Sequence, residues 1–308
     1  PIQTIRIIDG VSPGLDQFMG SEACSELVER EADRYRFLHK MLQEHDFDDI
    51  RIENLISVYA NEMAPITAAR QAVDVARKTA RDMPSADLAR LMFEDEVESL
   101  AYDKAIYQRP DYAEINDQET ATESAEPYLL TPAKGSDGSR LGILVVHGFL
   151  ASPAELRDYA ATLTAGGHTV LGVRLKGHGT SPWDLRDRQW EDWLESVRQG
   201  YRILSGLVDR IAIVGFSSGG ALSLLFAAEV PPRLAGVAAV SAPLRFRNRN
   251  LIFVPLVHGA NTLARWLPSL EGLMPFRLNE SEHPEINYRN IPIRGLYELR
   301  QMVSTLEN

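Results

Sequence analysis

Residues 211–228, IAIVGFSSGGALSLLFAA, constrain the fold more than any other part of the chain. The first six follow a strand pattern and the last eight an apolar helical pattern, with Gly215-Phe216-Ser217-Ser218-Gly219 joining the two. A chain that passes from strand to helix in so few residues leaves room only for small residues around the turn. Glycines therefore stand two before and two after Ser217. Such a turn lifts the serine side chain off the end of the sheet and places the next amide at a helix N-terminus, where the dipole favours negative charge. Ser217 is the candidate nucleophile, and the Ser218 N–H a candidate donor to a developing oxyanion.

Other apolar runs extend the pattern. Leu141–Val146, Thr169–Val173, 211–216 and Leu234–Val240 read as strands separated by stretches long enough for crossover helices, the signature of an α/β fold with a doubly wound, mostly parallel sheet. Ser152-Pro153-Ala154-Glu155 marks a helix start, with Ser152 as N-cap, Pro153 in the first turn and Glu155 placed to bond back to the cap. Residues 21–107 are helical in pattern, with Leu27, Tyr35, Leu38, Met41 and Leu42 recurring at steps of three and four, and Pro84-Ser85 dividing two of the helices. Residues 108–126 are polar and acidic, as in a linker or surface-draped connection. The expected division is an acidic helical region and linker at 1–126, followed by an α/β domain at 127–308.

Charge follows the same division. Residues 1–130 hold 27 acidic and 13 basic side chains, a balance of −14, whereas the remainder carries +3. An excess of carboxylates repels phosphate backbones, so no nucleic-acid partner is expected. No run nears the roughly 18 apolar residues of a membrane-spanning helix, and the first twenty residues lack a basic start followed by an apolar stretch. The expectation is a cytoplasmic protein with no integral membrane segment. A single cysteine, Cys24, excludes an internal disulfide and a thiolate cluster and reads as a small apolar residue. The N-terminal helices are open to three roles: a second cap, a dimerisation element or an independent module.

A second oxyanion donor is expected from the loop after Leu141–Val146, where His147-Gly148-Phe149 stands, and the Phe149 N–H is the choice. A histidine before glycine at a strand end shapes the loop more often than it acts as a base. Taken in order, VVHGF at 145–149, LKGHG at 175–179, WEDW at 190–193 and the glycine-flanked Ser217 resemble the bacterial carboxylesterases and monoacylglycerol lipases of the α/β-hydrolase superfamily. The resemblance covers residue 141 onward. It implies a Ser-Asp-His triad, an oxyanion hole from the Phe149 and Ser218 amides, a lid at about 244–287, and no metal or cofactor. His178 reads as the brace of a turn near the pocket.

One departure from that pattern is informative. The superfamily's triad runs serine, acid, histidine along the chain, yet no aspartate follows Ser217; the last is Asp209. The expectation is that acid and base lie beyond Asn308. The rival is a rewired triad drawing on His258 or His283 with Glu271, Glu280, Glu282 or Glu285. In the lid, Leu251, Phe253, Val254, Leu256, Val257, Leu263, Trp266, Leu267 and Leu270 form an apolar series suited to covering an acyl chain or to ordinary packing, and Arg245, Arg247 and Arg249 open the segment. The resulting expectation is a serine hydrolase acting through an acyl-enzyme on esters with an apolar acyl chain. A non-catalytic hydrolase-fold binding or scaffold protein, and a thioesterase or acyltransferase using the same nucleophile, are the alternatives.

Overall fold

The computed structural model describes residues 21–44, 64–133, 140–245 and 275–307. The chain forms two compact units, residues 1–84 and 85–308. In the first, helices α1 (Glu22–Gln43) and α2 (Pro65–Asp82) are described. Ser21 caps α1 by accepting the Cys24 N–H at 3.1 Å. The α2 start has no capping side chain of its own. Glu31 of α1 supplies one, its carboxylate accepting the Ile66 and Thr67 N–H groups at 2.8 and 3.0 Å and the Thr67 hydroxyl at 2.8 Å. Cys24 is buried and free, as a small apolar residue would be.

The second unit opens with α3 (Ser85–Ile106), so the division falls at Pro84 rather than after the polar stretch ending at Glu126. Two contacts explain why α3 belongs here. Ala89 and Ser85 pack where a Cβ on Gly206 would lie, at 2.7 and 2.6 Å, and Asp103 pairs with the buried Arg174 at 2.7 Å. The acidic connection that follows is draped over the unit and tied to it: Glu285 O accepts the Thr122 and Glu123 N–H groups, and Glu119 accepts those of Arg289 and Asn290.

The sheet then builds up from β1 (Tyr128–Leu130), β2 (Leu141–Val146), β3 (Thr169–Val173), β4 (Arg210–Phe216) and β5 (Leu234–Val240), in the order β1-β3-β2-β4-β5. β1 is antiparallel to β3, and the other pairs are parallel. Helices cover both faces, α4 (Arg157–Ala165) on one and α6 (Trp190–Ser205) and α7 (Ser218–Ala228) on the other, while the short α5 (Pro182–Asp187) and α8 (Ile293–Glu307) pack against each other, α8 also meeting α6 and α7. On one face Ile143, Val145 and Val170 pack with Ala160 of α4. The alternate residues Leu144 and Leu171 meet α6, which can approach because Gly200 lacks a Cβ. A central strand buried on both faces explains the unbroken apolar run of β2. β5 lies at the edge of the described sheet and is largely exposed.

A two-stranded antiparallel ribbon, β6 (Phe276–Leu278) and β7 (Asn290–Pro292), leads into α8. Most of the expected lid, including its apolar series, His258, Glu271, Arg247 and Arg249, lies outside the described residues. Among the described residues no helix is long and apolar enough to cross a membrane.

Candidate active site

β4 ends at Phe216 and α7 begins at Ser218, leaving Ser217 alone at the turn with φ 52° and ψ −122°. For a residue with a side chain this backbone costs on the order of 1–3 kcal/mol, so neighbouring groups must hold it. They are identifiable. The Ser217 N–H donates to Val240 O at 2.8 Å, and Ser217 O accepts from the Gly220 and Ala221 N–H groups at 3.0 and 3.3 Å. The flanking glycines are required by contact: a Cβ on Gly215 would lie 2.3 Å from Gly219 O, and one on Gly219 would lie 2.3 Å from Val146 O and 2.4 Å from His147 O. These atoms are main chain and cannot swing aside.

The loop after β2 comes against this turn. A Cβ added at Gly148 would lie 3.4 Å from Ser217 Cβ and 3.3 Å from Glu155 Oε2. His147, buried beneath the loop, accepts the Leu175 N–H at its Nε2 at 3.2 Å. An amide can only donate, so the ring proton stands on Nδ1, which donates to Gly148 O at 2.9 Å. That carbonyl belongs to the peptide whose N–H is that of Phe149. His147 therefore orients the Phe149 amide, which is the loop-shaping role expected of it. The Phe149 ring is packed between Trp193 and His178, with centroid distances of 5.5 and 6.0 Å, and against Gly295 of α8. Trp193 comes from WEDW and His178 from LKGHG, so three separate sequence motifs meet around one side chain. Among the described residues, neither the Phe149 N–H nor the Ser218 N–H has a hydrogen-bond partner.

Burial sets the charges of this cluster. It drives the His147 pKa down to about 4, reinforced by Arg174 and opposed by the bond to Gly148. His178 is pushed well below the usual histidine range by burial and by His147, and its Nδ1 lies 3.2 Å from Lys176 O. Both rings are neutral near pH 7. Burial pushes the Glu155 carboxyl up, against the opposing effects of the Gly148 N–H and His283.

Glu155 corrects a sequence expectation. Its carboxylate does not return to the cap at Ser152; Oε2 instead accepts the Gly148 N–H at 2.7 Å. The segment Pro153–Leu156 is a 3₁₀ turn, with α4 starting only at Arg157. Tyr288, which no sequence motif singles out, also braces the site: its hydroxyl accepts the Thr180 N–H at 2.7 Å and donates to Gly177 O at 2.9 Å. No local pattern flags either contact, since each joins segments by tertiary packing.

Of the residues considered as base or acid, His283 is mostly exposed and lies 3.3 Å from Glu285. Among the described residues, no histidine or carboxylate hydrogen-bonds Ser217 Oγ. Arg245 pairs with Glu307 at 3.7 Å. Among the described residues no cluster of three or more His, Cys, Asp or Glu side chains could hold a metal ion.

A mostly parallel sheet with helices on both faces, carrying a serine at a strained strand-to-helix turn, defines an α/β-hydrolase architecture. The chain belongs to the alpha/beta hydrolase family, whose model matches residues 143–300. It is 28% identical over 190 residues to the thermostable monoacylglycerol lipase of Bacillus sp. (strain H-257), covering 62% of this chain and 70% of that protein. It is also 28% identical over 176 residues to a carboxylesterase of Bacillus subtilis (strain 168), covering 57% and 67%. A solved structure from work on LipS and LipT, two metagenome-derived lipolytic enzymes, shares 28% identity over 60% of this chain and 71% of its own, with a TM-score of 0.49.

Proposed function

We propose that this protein is a serine hydrolase that cleaves carboxylic esters through an acyl-enzyme on Ser217. The observation that carries the reading is the Ser217 turn itself: a left-handed serine between β4 and α7, faced by the Gly148 loop, with the Phe149 and Ser218 amides unpartnered among the described residues. In this mechanism Ser217 Oγ attacks the ester carbonyl while a histidine base takes its proton. The carbonyl oxygen becomes an oxyanion bound by the Phe149 and Ser218 N–H groups, and collapse of the intermediate expels the alcohol with the proton. Water then attacks the acyl-enzyme and releases the acid. Similarity to a monoacylglycerol lipase and a carboxylesterase supports an ester with an apolar acyl chain as substrate.

Hydrolysis of short- and medium-chain nitrophenyl esters and of monoacylglycerols by the protein and its Ser217→Ala variant tests this. The variant is expected to lose more than about 10³-fold in kcat; equal rates would remove the reading. A second reading, a non-catalytic binding protein of the same fold, draws on the lack of a described side chain bonded to Ser217 Oγ. A fluorophosphonate separates the two, because it labels Ser217 only if that serine is activated. Thioester and acyl-acceptor substrates assayed alongside distinguish a thioesterase or acyltransferase.

A further inference from the structure

We propose that Glu155 is a positioning residue for the oxyanion loop: by accepting the Gly148 N–H it closes the loop 148–155 and fixes the peptide that precedes the Phe149 donor. The inference rests on the reading of Ser217 as nucleophile and of Phe149 as oxyanion donor.

Three observations support it. The first is the contact, 2.7 Å between Gly148 N and Glu155 Oε2, in the range of a charge-assisted bond. The second is redundancy around the donor. The Gly148 carbonyl is held by His147 Nδ1 at 2.9 Å, and the Leu150 carbonyl accepts the Tyr288 N–H at 3.0 Å. Glu155 provides the remaining anchor, on the N-terminal side of Gly148. Without it, the Gly148 N–H loses its acceptor and the peptide preceding Gly148 loses that restraint, at a residue whose lack of a Cβ makes rotation easy. The third is strain: Leu150 stands at φ 71°, a conformation that persists only where surrounding contacts impose it. A loop bent at Leu150 and hinged at Gly148 needs a fixed closure, and the start of the 3₁₀ turn supplies it through Glu155.

The role is distinct from proton transfer. A glutamine offers the same acceptor oxygen without a charge and cannot act as an acid or base, so Glu155→Gln keeps this anchor and Glu155→Ala removes it. Losing an oxyanion donor outright costs about 10² to 10³ in rate, which bounds the effect of misplacing one.

Two measurements test the proposal. In residue-resolved hydrogen exchange, the Gly148 amide of folded Glu155→Ala is expected to exchange at least about tenfold faster than in the parent, with protection retained in Glu155→Gln. In ester hydrolysis, Glu155→Ala is expected to lower kcat about 10- to 100-fold with KM changed less than about threefold, and Glu155→Gln to recover kcat to within about threefold. Unchanged Gly148 exchange in Glu155→Ala overturns the proposal, as does a Glu155→Gln variant as impaired as Glu155→Ala. Should Ser217→Ala retain full activity, the assignment of Ser217 fails instead. The exchange measurement distinguishes that case, since it reads the loop without catalysis.

Discussion

Replacing Asp103 by alanine is expected to destabilise the unit at 85–308 far more than loss of a surface ion pair would. Arg174, just past the end of β3, is 2% exposed, and its Nη2 donates to Asp103 Oδ2 at 2.7 Å and to Ser99 Oγ at 3.0 Å. Among the described residues its Nε and Nη1 have no hydrogen-bond partner, and Asp103 is the carboxylate it pairs with. Removing the carboxylate leaves a guanidinium buried with one neutral hydroxyl, a change that costs about 3–5 kcal/mol. At roughly 2–4 °C per kcal/mol for a unit of this size, the melting temperature should fall by about 6–20 °C. All four tryptophans, Trp183, Trp190, Trp193 and Trp266, lie in 85–308, so fluorescence melting of the whole chain reports this unit. Replacing both partners by apolar residues, Arg174→Met with Asp103→Leu, removes the unpaired charge and should melt above Asp103→Ala alone. A fall of less than about 2 °C for Asp103→Ala, or a double variant less stable than the single one, would refute the reasoning.

Three further outcomes follow from the same geometry. Gly219→Ala forces a Cβ to within 2.3 Å of Val146 O, so it should destabilise the protein by at least about 1–3 kcal/mol in a fluorescence melt; an unchanged melt contradicts the close approach. The His147 pKa lies below its unfolded value of 6.5, so the unfolded chain binds the proton first. Stability from the neutral ring is full above pH 6.5 and lost as pH falls to about 4, roughly 3 kcal/mol in all, and His147→Asn should flatten the slope of melting temperature against pH over that window. Glu31→Ala uncaps α2 and should cost about 1–2 kcal/mol, read as faster hydrogen exchange at Ile66 and Thr67; full protection there would show that another group caps the helix.

Local chemistry made much of this protein legible without a structure. The strand bounds at Leu141–Val146 and Thr169–Val173 coincide with the apolar runs, because a parallel strand covered on both faces is apolar almost throughout. Ser217 could be singled out because the strand-to-helix turn crowds main-chain atoms against the positions two before and two after it, Gly215 and Gly219, a steric demand that is written in neighbouring residues. The loop-shaping role of His147 was open to the same kind of argument.

Tertiary structure decided what depends on contacts between distant segments. Glu155 had two donors in reach, the Ser152 cap and the Gly148 N–H, and only the packing of the loop against Ser217 selects Gly148. Helix α3 has the pattern of the N-terminal helices, yet the burial of Arg174 against Asp103 assigns it to the second unit. Periodicity records which residues avoid water, whereas partner choice among polar groups is set by where folding brings them, and no local pattern encodes that.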